Sequence, residues 1–184
     1  MTEMEKAAAG LLYDANYDPQ ILLDRARAQD LCLDYNETRT AQAAKRLQIL
    51  QTLLAACDEH IIIEPPFFVD YGYNMRVGAH FYANHNLIVL DGAPVTFGDH
   101  VFISPNCGFY TAGHPLDAAR RDAGLEYAKP ITIGSHVWIG AHVCVLPGVS
   151  IGDHTVIGAG SVVNRDIPDG VLAAGNPCRV IRSL

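Results

Sequence analysis

Residues 111–115 read Thr-Ala-Gly-His-Pro, and the histidine, His114, sits where a pattern that otherwise counts in sixes is interrupted. An imidazole titrates near neutral pH and can take and return a proton. A histidine at a break in a regular repeat is therefore a candidate for proton transfer. The chain has eight histidines. Five of them, His80, His100, His136, His142 and His154, occupy the fourth place of a six-residue unit. His80 and His85 have ligand-like spacing, and His136 and His154 stand 18 residues apart (154 − 136), about 5 Å if strands stack at that interval. A catalytic zinc site needs three protein ligands and an open position. No coherent third partner is legible, so the fourth-place histidines are read as corner residues and no metal is expected.

The elements that must position His114 follow from the count. From Ile133 the chain reads IGSHVW, IGAHVC, VLPGVS, IGDHTV, IGAGSV, VNRDIP. Every unit begins with Ile or Val, and four have glycine second. Earlier copies are VGAHFY at 77, FGDHVF at 97 and ISPNCG at 103. A period of six walks around a helix, and an alternating strand has no use for glycine at that interval. A chain that turns a corner every six residues fits both facts. The first residue then points into a prism, the small fifth residue fits beside it, and Gly, Asn, Asp or His takes the corner. Three sides make a coil of 18 residues. Nothing in the period sets the hand of the coil.

The units at 97 and 103 are in phase with those at 133 and beyond, yet the stretch between them loses the aliphatic pattern. It carries Asp117, Arg120, Arg121, Asp122 and Gly124. It cannot fill a prism and is expected to leave as an inserted loop near 109–131, with His114 at its base. Long excursions from rigid scaffolds often carry function.

Residues 1–60 read as a helical segment and 61–184 as the repeat domain. Asp18-Pro19 is an N-cap with proline at the first helical position, followed by Ile21, Leu22, Ala26 and Leu31. A second helix is expected over roughly 38–58, with Ala43, Leu47, Leu50, Leu54 and Cys57 on one face. Two short helices cannot close a core alone, so they should lie against the prism or a neighbouring subunit. The composition is globular, 49% hydrophobic and 18% charged, with a formal charge of −7. That balance favours neither a nucleic-acid nor an anionic-membrane partner. No run has the length of a membrane span, and MTEMEKAAAG lacks a signal-peptide core. Cys32, Cys57, Cys107, Cys144 and Cys178 are scattered and odd in number, which favours reduced thiols in the cytoplasm.

Five segments narrow the reading: NMRVGAHFYANHN (74–86), ISPNCGFYTAGHP (103–115), KPITIGSHVWIGAHVCVLPGVSIGD (129–153), VIGAGSVVNRDIP (156–168) and AAGNPCRVIR (173–182). Together with GLLYDANYDPQILLDR near the start, they resemble the maltose and galactoside O-acetyltransferases, members of the hexapeptide-repeat acyltransferases. The resemblance covers nearly the whole chain. It implies a mainly β fold, a left-handed parallel β-helix, whose hand runs against the usual crossover rule. It also implies acetyl-CoA as acetyl donor, a small sugar as acceptor, and a homotrimer with active sites between subunits.

Residue by residue, the resemblance makes His114 the general base. A sugar hydroxyl is a poor nucleophile, and a neutral imidazole can take its proton during attack on the thioester and pass it to the departing sulfur. Asn84, in YAN, is implied beside the acyl-transfer centre, where an amide can hydrogen-bond the substrate or the thioester region. Asp70, Asp91 and Asp14 are implied on the acceptor side, since carboxylates accept hydrogen bonds from sugar hydroxyls. Asp70 stands where the galactoside enzymes have serine, and at 91–92 this chain reads Asp-Gly where they have two acidic residues. Trp138, Ala141, Ala159, Asn164, Arg165, Arg179 and Arg182 match positions lining the family's CoA groove, Asn164-Arg165 standing where the galactoside enzyme has Thr-Lys. Small residues leave room for the pantetheine arm, and the arginines suit nucleotide phosphates.

Rival readings stay open at this level. A carbonic-anhydrase-like metal hydrolase uses the same prism. A non-catalytic scaffold is opposed by His114 and the C-terminal arginines. Within the acyltransferases, serine or an antibiotic could be the acceptor.

Overall fold

The computed structural model describes all 184 residues and turns the six-count into a three-sided parallel β-helix. The first face stacks Met75–Val77, Val95–Phe97, Ile131–Ile133 and Ser150–Ile151. The second stacks Ile62–Ile63, Tyr82–Ala83, Phe102–Ile103, Trp138–Ile139, Val156–Ile157 and Val171–Ala174. The third stacks Phe67–Val69, Leu87–Leu90, Gly108–Tyr110, Cys144–Val145 and Val162–Val163. Arg179–Ser183 folds back antiparallel on Val171–Ala174.

The first and fifth places fill the interior. Ile133, Ile139, Val145, Ile151, Ile157 and Val163, and with them Val137, Val143, Val149, Thr155, Ser161 and Ile167, are all at most 3% exposed. The two buried hydroxyls are satisfied: Thr155 donates to the Pro168 carbonyl and Ser161 to that of Gly158. Second-place glycine answers a close approach between coils. A Cβ on Gly134 would lie 2.8 Å from the backbone nitrogen of Asp153.

The fourth place is a left-handed corner. His80, His100, His136, His142 and His154 have φ between 53° and 59°, a region that costs most L-residues about 1–2 kcal/mol. The rings of His60, His80, His100, His136 and His154 stack along one edge with centroids 4.8–5.1 Å apart. Stacked faces keep ring lone pairs parallel rather than convergent, and no group of three His, Cys, Asp or Glu residues is placed to hold a metal ion.

Coil length changes along the chain. In the middle coils partners are 18 apart, as Thr132 opposite Ser150, and in the last they are 16 apart, as Val156 opposite Leu172. In the earlier ones they are 20 apart, as Met75 opposite Val95 and Phe67 opposite Leu87. The extra residues sit at the edge between the third and first faces, in 70–74 and 91–94. The long excursion leaves from that same edge. It is narrower than the expected 109–131, because Phe109 and Ile131 are both fully buried in the prism. It is also structured rather than loop, with strands Ala112–Gly113 and Leu125–Ala128 around a short helix.

Four helices complete the chain: α1 (Glu3–Ala8), α2 (Pro19–Glu37), α3 (Ala43–Leu53) and α4 (Ala118–Asp122). Asp18 caps α2, its Oδ1 accepting from the amides of Gln20 and Ile21. α3 is shorter than the expected 38–58. At Leu54 the chain becomes extended, and Ala55 and Ala56 bond to Met75 and Val77 as the first rung of the first face. Leu50 and Leu54 are buried as expected, while Ala43 and Ala26 are exposed and α2 instead buries Ala28, Cys32 and Tyr35. These helices share one cluster of 37 buried residues with the prism, so the helical segment has no separate core of its own there. No helix is long and apolar enough to cross a membrane.

Two variants test the inside–outside pattern. Ile151→Asp strands a carboxylate among aliphatics and should cost several kcal/mol, a large share of the roughly 5–15 kcal/mol that holds a typical domain. His154→Asn keeps a residue that accepts a left-handed corner and should cost little. Thermal melts giving equal losses for the two would contradict the inward assignment.

Candidate active site

The third-to-first edge gathers the candidate acid–base residues. Ala112–Gly113, Leu125–Ala128 and the N-terminal pair Tyr13–Asp14 form a small antiparallel sheet outside the prism. Gly113 pairs with Tyr127 and Tyr13 with Glu126. The next step in that register sets His114 opposite Glu126, so Tyr13, Glu126 and His114 lie in one row.

His114 is half exposed. Its Nδ1 is 3.2 Å from the Leu125 carbonyl oxygen, which can only accept, so Nδ1 carries the proton of the neutral ring. Nε2 is thereby left as the basic nitrogen. Glu126 Oε2 lies 3.9 Å from it, too far for a hydrogen bond. Tyr13 donates to the other carboxylate oxygen at 2.5 Å. Burial first, and then the neighbouring Glu126 carboxylate, push the Tyr13 phenol far above its ordinary range, so it stays a donor.

The three implied acceptor-side carboxylates sit near this row but in different states. Asp91 is fully buried. Its oxygens accept from the backbone amides of Tyr71 and Asn74, so it holds the 71–74 turn. Burial raises its carboxyl, and those amides oppose the rise. Asp14 Oδ1 accepts from the amides of Asn16 and Tyr17, and its own amide donates to Glu3. Asp70 alone makes no side-chain hydrogen bond. Burial pushes its carboxyl up to about 6, against the pull of the Arg25 guanidinium and with help from Asp91 and Glu126. Arg25 in turn donates to the Tyr71 hydroxyl at 3.0 Å.

A second group lies on the edge between the second and third faces. Asn84, Ser104, Gly140 and Gly158 follow successive strands of the second face and each donates its backbone N–H to the next coil. Asn84 Oδ1 accepts from the His85 amide, and its Nδ2 makes no hydrogen bond within the chain. Ala141 and Ala159 flank this column one coil apart, the Ala141 carbonyl accepting from Gly160 N–H. Trp138 stands outward on the second face, 54% exposed, with Nε1 donating to Ser104. Arg179 and Arg182 are exposed on the returning strand. Asn164 and Arg165 follow the last strand of the third face, so they are exposed on the His114 edge.

One chain therefore brings His114, Asp70, Asp91 and Asp14 together, and Asn84, Ala141 and Ala159 together, but on different edges. A cleft of about 690 Å³ between α3 and the first coil, lined in part by Arg46, Glu59 and His80, shares no residue with either group. Sequence reading missed Glu126 and Tyr13. Their link is a cross-strand row between segments 113 residues apart, and only the alternation of LEYA hinted at a strand.

Residues 6–58 match the maltose acetyltransferase hexapeptide capping motif, and 130–165 match the bacterial transferase hexapeptide model of six repeats. The galactoside O-acetyltransferase of Escherichia coli K12 is 46% identical over 87% of this chain and 79% of its own length. The chain belongs to the maltose and galactoside O-acetyltransferase family. The crystal structure of a maltose O-acetyltransferase from Clostridium difficile 630 superposes with a TM-score of 0.98 at 44% identity, covering 100% of this chain and 98% of that one. A galactoside acetyltransferase in complex with coenzyme A superposes with 0.95 at 43% identity, covering 100% and 91%. This chain is thus an acetyltransferase of that family.

Asp70 provides a pH test. Its raised carboxyl binds a proton more tightly in the folded than in the unfolded chain. Folding stability is therefore lost as pH rises from about 4 to about 6. Asp70→Asn removes that loss. It should stabilise the protein by up to about 3 kcal/mol above pH 6 and by nothing below pH 4. Denaturation across that window checks it; a gain independent of pH would contradict the assignment.

Proposed function

We propose that this acetyltransferase moves an acetyl group from acetyl-CoA to a hydroxyl of a small sugar, with His114 as general base. The observation that carries the reading is the oriented imidazole, Nδ1 committed to the Leu125 carbonyl and Nε2 free. Nε2 takes the hydroxyl proton as the sugar oxygen attacks the thioester carbonyl carbon. The carbon–sulfur bond breaks, and the proton passes from Nε2 to the departing thiolate. No acyl-enzyme is needed, because both substrates are held together. Asp70 has unused acceptor capacity for sugar hydroxyls. Asp14 and Asp91 act by holding the backbone around it.

The donor runs along the other edge. Ala141 and Ala159 leave room for the pantetheine arm beside Trp138, and the free Nδ2 of Asn84 donates near the thioester. Arg179 and Arg182, and Arg165 from the His114 edge of the adjoining chain, face the nucleotide phosphates. Since Asn84 and His114 lie on different edges, each active site takes one edge from each of two chains. Outward residues support a homotrimer built that way. The first face carries Arg76, Thr96, Thr132 and Ser150, whereas the second and third carry exposed Ile62, Phe102 and Phe68. Such apolar strips mark association surfaces. The five unpaired cysteines suit the cytoplasm.

His114→Ala should lower kcat by about 10²–10⁴-fold without loss of fold. Asn84→Ala should also lower kcat. Co-refolding the two inactive variants should restore measurable turnover, because some sites then draw an intact Asn84 and an intact His114 from different chains. Mixtures no more active than their parents would contradict a shared site.

Arg179→Ala with Arg182→Ala should raise KM for acetyl-CoA and leave KM for the sugar nearly unchanged. Initial-rate kinetics with each substrate varied in turn checks this, and the reverse pattern would refute the assignment.

A further inference from the structure

On the second-to-third edge, only two members of the column Asn84, Ser104, Gly140 and Gly158 carry side chains. The backbone N–H of all four is spent on the next coil. The residue that follows each is the next source of an N–H. Ala141 and Ala159 keep theirs, which donate to no backbone carbonyl. His85 spends its own on Asn84 Oδ1. Residue 105 is proline and has none. The coil of Ser104 therefore offers a ligand on this edge no backbone donor, and the serine hydroxyl is the donor that remains there.

Trp138 sets the direction of that hydroxyl. Its indole Nε1–H can only donate, and it lies 3.2 Å from Ser104 Oγ. Oγ is thus the acceptor, and the serine proton points elsewhere. Ser104 is half-buried on the same edge as Asn84, whose Nδ2 is also unspent. Successive coils stack about 4.8 Å apart, so these two donors are rooted one coil from each other. Donors at that separation can both reach a single oxygen at about 2.9 Å.

We propose that Ser104 is a catalytic residue whose hydroxyl, together with Asn84 Nδ2, donates to the carbonyl oxygen of the acetyl thioester. As the acceptor oxygen bonds to the carbonyl carbon, the π electrons of the C=O move onto that oxygen. They return as the carbon–sulfur bond breaks. Two donors aimed at the oxygen stabilise the charge while it is there. Trp138 is a positioning residue, because it acts through Ser104. The proposal rests on the reading that the thioester lies beside Asn84, and it needs neither a sugar acceptor nor His114 as base.

The test therefore begins without an acceptor. Infrared difference spectra of acetyl-CoA labelled with ¹³C at the thioester carbonyl report how strongly that oxygen is polarised. On wild-type protein the band should fall below its position in water. Ser104→Ala should return it part of the way, and Ser104→Thr, which keeps a hydroxyl, should hold it down. CoA, which has no thioester, should bind Ser104→Ala as it binds wild type. In turnover, Ser104→Ala should lower kcat by about 10- to 100-fold, the worth of a hydrogen bond to a charged group. Trp138→Phe keeps most of the ring and should cost less kcat than Ser104→Ala.

A band moved by Asn84→Ala but not by Ser104→Ala would overturn the role of Ser104 alone. A band unmoved by either would mean that the thioester lies elsewhere, and would remove that placement and the proposal together. Weaker CoA binding with kcat unchanged would assign the hydroxyl to the pantetheine arm and overturn the proposal. If Ser104→Ala costs no more than Trp138→Phe, and the double variant loses nothing beyond Trp138→Phe, the serine only props the indole, which overturns it as well.

Discussion

Hydrogen bonds between successive coils govern everything else in this protein. Each strand of the prism donates to the coil on one side and accepts from the coil on the other, in parallel register. A single extra residue within a face would turn aliphatic side chains outward along that strand. Extra residues can therefore leave only at corners. In this chain all of them leave at one corner, between the third and first faces: the longer turns at 70–74 and 91–94, and the excursion after Tyr110. The rigid stack thus concentrates the irregular backbone, and the candidate acid–base chemistry with it, along one edge.

That edge needs its own scaffold. The excursion is too polar for the interior, and its two strands alone make a marginal hairpin. Tyr13–Asp14 supplies the third strand. A small buried cluster of Tyr13, Ala15, Ile21, Tyr71, Ala93 and Ala128 ties this sheet to α2 and to the long corners. The N-terminal segment therefore does two jobs. α2 and α3 join the core of the prism at its first coils, and the residues before α2 orient the row that ends in His114. Asp91 serves the same end from inside, since its buried carboxylate satisfies backbone amides of the 71–74 turn.

The opposite design holds on the second-to-third edge. There the coils are regular, and close approach excludes side chains: a Cβ on Gly140 would lie 2.6 Å from the backbone nitrogen of Ala159. The result is a smooth column of backbone with Asn84 on one of its coils. One edge is built from insertions and carries titratable groups, and the other is built from the bare repeat and offers a track for an extended ligand.

The sequence by itself determined the prism, because a period of six with aliphatic first places admits few other shapes. It determined the corners at the fourth places for the same reason, and the N-cap at Asp18. It singled out His114 because a break in so strict a count is conspicuous. Its hexads did not give the 20-residue period of the early coils, since two extra residues per turn blur the count without leaving a motif. Nor did they give the end of α3, where bonding to Met75 and Val77 outcompetes another helical turn. The pairing of Tyr13 with Glu126 was beyond local pattern, because the two residues meet only when a terminal segment docks on the excursion. The separation of Asn84 from His114 was likewise decided by tertiary structure: which edge a residue occupies depends on the summed length of every coil before it, and no short stretch of sequence carries that sum.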